Sequence, residues 1–319
     1  MERYPLLVIL GPTAVGKTEL SVKLAKNLNG EIISADSMQI YRKMDIGTAK
    51  VSNDVQKEIK HHMIDIINPD KKYSVAEYKS KVDKIIPEIY DKGKLPIMVG
   101  GTGLYIKAVV RGFLFPKMKS NQKLRKNLED KAKKEGNQAV HDLLAEVDPS
   151  LAEKLHPNDL RRVIRGIEVY RETGKTITYF KKKQKEKQDR YNTLKIGLTR
   201  NREELYARVN KRVDIMIEEG LINEVNDLKD NGYDLSSTAL QGLGYKEIID
   251  YLEGKYDKKE AIRVLKRNTR HFAKRQFTWF KRDDTINWYN LSKLNYRQAY
   301  NDILEKVNKF IENNFKISG

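Results

Sequence analysis

"GPTAVGKT", Gly11 to Thr18, follows a short apolar run, Leu6 to Leu10, and precedes an amphipathic stretch from Glu19 to Leu28 that Gly30 closes. It satisfies G-x-x-x-x-G-K-[ST] in full, in the strand-then-helix context which that pattern requires. Gly11, Pro12, Thr13, Ala14, Val15, Gly16, Lys17 and Thr18 therefore read as a diphosphate-binding loop. Its glycines let the backbone wrap an anion, and N–H groups and a helix N-terminus face it. Lys17 supplies a point charge, and the Thr18 hydroxyl is a candidate Mg2+ ligand. The loop does not encode what is attached to the phosphates, and ATP fits its pattern as well as any other diphosphate.

Outward from the loop, "EIISA" at 31–35, a helical pattern near 74–91 and "LPIMV" at 95–99 continue an alternation of strands and helices. This predicts an α/β fold, a P-loop-type parallel sheet flanked by helices. From 116 to 190 the texture turns helical and charged, with 20 Lys/Arg against 12 Asp/Glu, and "KIGLT" at 195–199 returns to the sheet. The expected organisation is a catalytic core of 1–115 and 191–319 interrupted by an all-helical insertion, 116–190. The run "YFKKKQKEKQDRY", 179–191, reads as a solvated helix face or linker.

The 319 residues include no cysteine, which excludes disulfides, thiolate-bound zinc and thiol catalysis, and the five histidines are too scattered for a zinc site. Five apolar residues before Gly11-Pro12 are too few for a signal peptide or a membrane span, so a cytoplasmic protein without a membrane partner is expected. A net charge of +18 favours a polyanionic partner, nucleic acid above all.

Other candidates fall where strands end. Asp36, in "IISADSMQIYR", closes the second strand and is open to three roles: helix cap, magnesium partner or base. In "VGGTGLY", Gly100, Gly101 and Gly103 are expected to let a ligand approach the backbone, with Thr102 as a hydrogen-bond donor. Arg208 and Arg212 share a helical face opposite Val209, Val213, Met216 and Ile217, a spacing that suits either a diphosphate clamp or a solvated surface. The segment 262–282 holds eight Lys/Arg and no acid, interleaved with Phe272, Phe277, Trp279 and Phe280, which suits an RNA backbone with most aromatics packed inward. "HPNDLRRVIRGIEVY", 156–170, adds Arg161, Arg162 and Arg165.

"GPTAVGKT", "SADSMQIYRKMDIGTAK", "HHMIDI", "VGGTGLYIKA", "HPNDLRRVIRGIEVY", "LQGLGYKE" and "TRHFAKRQFTWF", in that order over about 6–282, together resemble the tRNA dimethylallyltransferases, or tRNA isopentenyltransferases. The resemblance implies transfer of the dimethylallyl group from dimethylallyl diphosphate to the exocyclic amine of the adenosine 3′ to the anticodon, in tRNAs reading codons that begin with U. It implies Asp36 as general base and Thr102 near the bridging oxygen of the diphosphate, with Lys17 as the third catalytic group. It assigns tRNA contacts to Asp36, Ser37, Met38, Gln39, Thr102, Arg125, Arg161, Arg162, Val163, Ile164, Arg165, Gln241, Gly244, Tyr245, Lys246, Lys274, Arg275 and Gln276. The expected partners are the tRNA anticodon stem-loop and dimethylallyl diphosphate, the cofactor Mg2+, and the working unit a monomer. Eukaryotic members carry a C-terminal zinc finger that a cysteine-free chain cannot form, so the shorter bacterial form is implied.

The expected chemistry is carbon–oxygen cleavage, with the loop, Lys17 and Arg208 or Arg212 neutralising a departing diphosphate while Asp36 takes a proton from the amine. Three rivals stay open: a small-molecule or nucleotide kinase, an isopentenyltransferase of free adenine nucleotides, and a non-catalytic RNA-binding NTPase.

Overall fold

The computed structural model describes residues 3–186 and 190–314. They fall into two compact units, one running to Val110 and resuming at Arg190, the other beginning at Arg111.

The first unit opens with β1 (Tyr4–Leu10), α1 (Lys17–Asn27), β2 (Gly30–Ser34), α2 (Asn53–Glu58), β3 (His61–His62), α3 (Val75–Tyr90), β4 (Leu95–Gly100) and α4 (Gly103–Val110). The second unit comprises α5 (Gln122–Glu135), α6 (Asn137–Val147), α7 (Pro149–Ala152), α8 (Leu160–Thr173) and α9 (Ile177–Lys185). The first then resumes with β5 (Tyr191–Thr199), α10 (Arg202–Glu218), α11 (Leu221–Asp230), α12 (Tyr245–Leu252), α13 (Lys258–Phe280), β6 (Asn287–Asn290) and α14 (Tyr296–Asn314). The strands form one parallel sheet in the order β3-β2-β4-β1-β5-β6.

Parallel strands covered on both faces read as unbroken apolar runs, and β1 is one. Leu7 and Ile9 point with Ile32, Ile97, Ile196 and Leu198 into a core closed by Leu20 and Leu24 of α1 and Ile303 and Val307 of α14. Leu6, Val8 and Leu10 point the other way, with Ile33 and Met98, against Tyr78, Val82 and Ile86 of α3. Helix α3 starts at a capping box in which Ser74 and Glu77 satisfy each other's backbone N–H groups. A third cluster packs Ile40, Tyr41 and Met44 against α11, α12 and α13.

The strands expected at 6–10, 31–35, 95–99 and 195–199 all form, with β5 starting four residues earlier than its motif, at Tyr191. β3 and β6 were not legible: one is two residues long and the other is the half-buried "NWYN". The second unit begins at Arg111 rather than at 116 and has its own core of Leu128, Val140, Leu144, Val163 and Ile167. Of the basic run 179–191, α9 takes the part up to Lys185, while 187–189 lie outside the described residues. No helix among the described residues is long and apolar enough to cross a membrane.

Candidate active site

Because the sheet is parallel, the loops leaving β1, β2, β4 and β5 emerge on one edge. The first is the phosphate loop. Gly16 takes φ +112° as the residue capping α1, a conformation an L side chain rarely adopts, and this turns the loop N–H groups towards the helix start. Lys17 Nζ donates to Gly11 O at 3.0 Å and Pro12 O at 2.7 Å. Burial, with Arg212 nearby, brings its pKa down to about 7, against the opposing pull of Asp36.

Three arginines hold three successive loop residues. Arg200 Nε donates to Val15 O at 3.1 Å, Arg208 Nε to Ala14 O at 2.9 Å, and Arg212 Nη1 reaches Thr13 Oγ1 at 3.5 Å. The shared face of Arg208 and Arg212 is therefore turned to the loop, not to solvent alone. Arg200 was missed, although an arginine directly after the β5 motif stands at the ligand edge. Arg212 also borders a cavity of about 440 Å³ whose lining includes Ile46, Lys50, Val51, Ile215 and Met216.

Asp36 leaves β2 beside this loop. Its Oδ1 accepts from Met38 N at 2.9 Å, so one oxygen caps the turn, while Oδ2 takes no hydrogen bond from the described residues. Ser37 N donates to Thr102 Oγ1 at 3.1 Å and Thr102 N to Ala35 O at 3.1 Å, which stitches the exits of β2 and β4 together. Asp36 pulls upward on the pKa values of both Lys17 and Arg212, although burial lowers each overall. A carboxylate and two cations thus meet at one point of the sheet edge.

The glycines after β4 have another purpose than the expected one. A Cβ on Gly100 would meet Ala35 O at 2.2 Å, one on Gly101 Gln276 Nε2 at 2.1 Å, and one on Gly103 the Trp279 indole at 2.2 Å. Their space is filled by protein, so they admit neighbouring segments rather than a ligand.

The segment after Asp36 is fastened from several sides. Gln39 accepts from Ser34 Oγ at 2.8 Å and donates to Thr48 O and Ala49 O, so its amide is occupied inside the protein. Met38 lies against Gly242. Lys50, 3% exposed, donates to Tyr41 O and to Asp45 and Asp65. Glu224 accepts from Asp45 N, Ile46 N and Gly47 N at 2.8 to 3.0 Å and from the Tyr245 hydroxyl at 2.6 Å. Spacing alone singled out neither Lys50 nor Glu224, because the groups they join come together only in the folded loop 41–65 and, for Glu224, across the fold.

The positions that the resemblance assigns to tRNA differ widely in exposure. Val163 and Ile164 are in the core of the second unit, and Tyr245 is fully buried over Gly47, beside the buried Gly244. Gln276 is buried, Oε1 accepting from Thr13 N at 2.8 Å and Nε2 donating to Gly101 O at 3.1 Å. Apolar burial or internal hydrogen bonding occupies the Val163, Ile164, Tyr245 and Gln276 side chains. Arg161, Arg162, Gln241, Lys246, Lys274 and Arg275 are exposed. In the second unit Arg125 and Arg165 converge on the fully buried Glu168, which also accepts from Asn121 N. Burial would raise the Glu168 pKa, but these donors outweigh it and hold the carboxyl at about 2. Of the α13 aromatics, Phe280 is buried and Phe277 meets Trp288 edge-on, while Trp279 is 46% exposed.

Thr18 is exposed at the first turn of α1, and among the described residues no group of three or more His, Asp or Glu is placed to hold a metal ion.

The IPP transferase family profile matches residues 39–283. A tRNA dimethylallyltransferase of Halothermothrix orenii is 63% identical over 96% of this chain and 93% of its own length, and one of Alkaliphilus oremlandii is 54% identical over 93% and 94%. Among solved structures, a tRNA isopentenylpyrophosphate transferase of Bacillus halodurans superposes with a TM-score of 0.74 at 43% identity, covering 98% of both chains. A eukaryotic dimethylallyltransferase described as acting on tRNA superposes with a TM-score of 0.86 at 30% identity, over all of this chain and 81% of that one. With this breadth of match added to a phosphate loop, its arginines and the stitch from Thr102 to Ala35 and Ser37, the chain belongs to the IPP transferase family of tRNA dimethylallyltransferases.

Proposed function

We propose that the protein transfers the dimethylallyl group of dimethylallyl diphosphate to the exocyclic amine of the adenosine 3′ to the anticodon, in tRNAs reading codons that begin with U. The observation that carries this reading is the carboxylate of Asp36, with Oδ2 uncommitted, beside the cations of a phosphate loop. An amine acceptor must lose a proton as its new carbon–nitrogen bond forms, and Oδ2 is the acceptor the site offers for it.

In the proposed reaction the adenine nitrogen attacks the first carbon of the dimethylallyl group and the carbon–oxygen bond breaks. The bonding pair leaves with the diphosphate, and the amine proton passes to Asp36 Oδ2. Loop N–H groups, Lys17 and Arg212 meet the charge that develops on the leaving oxygen. Thr102 holds the Ser37 backbone and with it the direction of Asp36.

Mg2+ fits as an ion shared with the substrate: Thr18 would offer one hydroxyl and the diphosphate oxygens most of the rest, in keeping with the absence of a protein cage among the described residues. When bound it neutralises diphosphate charge. The adenosine must leave the anticodon-loop stack, at a cost of about a few kcal/mol. The exposed cations of α13 and of the helical unit are proposed to offset that cost through phosphate contacts.

The test is incubation with Mg2+, dimethylallyl diphosphate and unmodified tRNA, with mass spectrometry of the anticodon fragment. A five-carbon addition beside the anticodon is expected; phosphate transfer from ATP with no prenyl adduct would replace this reading with the kinase.

A further inference from the structure

Helix α13 carries eight Lys and Arg residues, yet its residue closest to the chemistry is neutral and buried. Gln276 is 6% exposed, between Lys274 and Arg275, which face solvent. Its carbonyl oxygen accepts the Thr13 N–H of the phosphate loop at 2.8 Å, and its amide nitrogen donates to Gly101 O at 3.1 Å, one residue before Thr102. One side chain therefore spans the loops that leave β1 and β4, linking the phosphate cradle to the turn that presents Thr102.

Gly101 is the counterpart of this arrangement. A Cβ there would stand 2.1 Å from Gln276 Nε2, while its next neighbour, Gly11 O, is at an ordinary 3.5 Å. Gly101 has no positive φ, so its backbone accepts an L side chain. The absent side chain makes room for the Gln276 amide and for nothing else nearby. An alanine at 101 would displace the flexible end of Gln276, stripping two backbone groups of their partner.

We propose that Gln276 is a positioning residue for the diphosphate site, not an RNA contact: it sets the phosphate loop against the Thr102 turn, and Gly101 exists as glycine to admit it. Glutamine suits this post because it alone combines an acceptor and a donor at that reach without adding charge beside the diphosphate. A glutamate would keep the bond from Thr13 N, lose the one to Gly101 O, and set an anion next to the anion being bound.

Inorganic pyrophosphate binding, measured by calorimetry, tests this without reference to prenyl transfer, on which only the steady-state arm rests. Gln276→Met should weaken pyrophosphate about tenfold, the usual consequence of leaving a buried backbone group unpaired, and Gln276→Glu at least as much. Gly101→Ala should reproduce the loss, and Gly101→Ala combined with Gln276→Met should be no worse than either alone, since both remove the same contact. In the transfer assay the KM for dimethylallyl diphosphate should rise and the KM for tRNA hold. Wild-type pyrophosphate affinity in both Gln276 variants, multiplying effects in the double variant, or a rise confined to the tRNA KM would each overturn the proposal. If the wild-type protein transfers no prenyl group, the reaction reading fails while the pyrophosphate result still decides the role of Gln276.

Discussion

The Lys17 ammonium donates to the Pro12 carbonyl oxygen at 2.7 Å, so the cation of the phosphate loop is anchored on the loop itself. Burial and the neighbouring Arg212 bring its pKa down to about 7, with Asp36 opposing. A bound diphosphate favours the charged form and so raises that value. Binding therefore takes up a proton, and affinity for pyrophosphate should fall by about tenfold per pH unit once pH rises above 7. Calorimetry in buffers of different ionisation heat should register the uptake near neutral pH. Lys17→Met should abolish it, leaving only the titration of pyrophosphate itself.

Arg212 acts on the same equilibrium from the other side. It reaches Thr13 Oγ1 and repels the Lys17 charge. Arg212→Met should weaken pyrophosphate by about tenfold, as loss of a charge-assisted contact does. It should also move the pH midpoint of binding upward, because one of the two causes depressing the lysine is gone. Weakened binding with an unmoved midpoint would confine Arg212 to the anion.

Asp36→Asn keeps an oxygen for the Met38 N–H and removes the base. Turnover should fall by about 100- to 10,000-fold, the range for general-base loss, with the melting temperature and tRNA affinity unchanged. An unaltered rate in single-turnover measurements would leave Asp36 as a turn cap only.

What the sequence made legible divides along physical lines. The phosphate loop, the buried strands and the ends at which Asp36 and Thr102 stand follow from local pattern, since glycine placement and apolar runs act over a few residues. The internal role of Gln276, and Arg200 and Glu224 altogether, escaped the sequence because each meets a group far along the chain: Gln276 meets Thr13, Arg200 meets Val15, and Glu224 meets 45–47. Motif resemblance marked Val163, Ile164 and Tyr245 as tRNA contacts, but a motif records which residues stay together, not which face of a helix they occupy. Their burial needed the tertiary structure.

In the helical unit, Glu168 joins Arg125 on α5 to Arg165 on its own helix, α8. Its folded pKa of about 2 lies below the ordinary 4.5, so its stabilisation is complete above the carboxylate range and lost as pH falls through about 2. Glu168→Gln should flatten the acid limb of a pH-dependent stability curve between those values. It should also release Arg125, weakening tRNA binding if the Glu168 pairing presets that guanidinium; an unchanged tRNA affinity would restrict the triad to stability.

Glu224 presents the sharpest case of a substitution that looks conservative and is not. Its two carboxylate oxygens accept four donors, the N–H groups of Asp45, Ile46 and Gly47 and the Tyr245 hydroxyl. Glu224→Gln keeps the shape but turns one oxygen into an N–H₂ facing donors, so at least one half-buried backbone N–H loses its acceptor. The cost should be about 1–3 kcal/mol, no smaller than for Glu224→Ala, where the vacated space lets a water take over the bonds. Urea denaturation of the two variants makes the comparison. The loop 45–47 leads back to Asp36 through Gln39 and Lys50, so KM for tRNA should rise in the Gln variant even where the protein remains folded. A Gln variant as stable as wild type would mean that these four bonds add nothing net to stability.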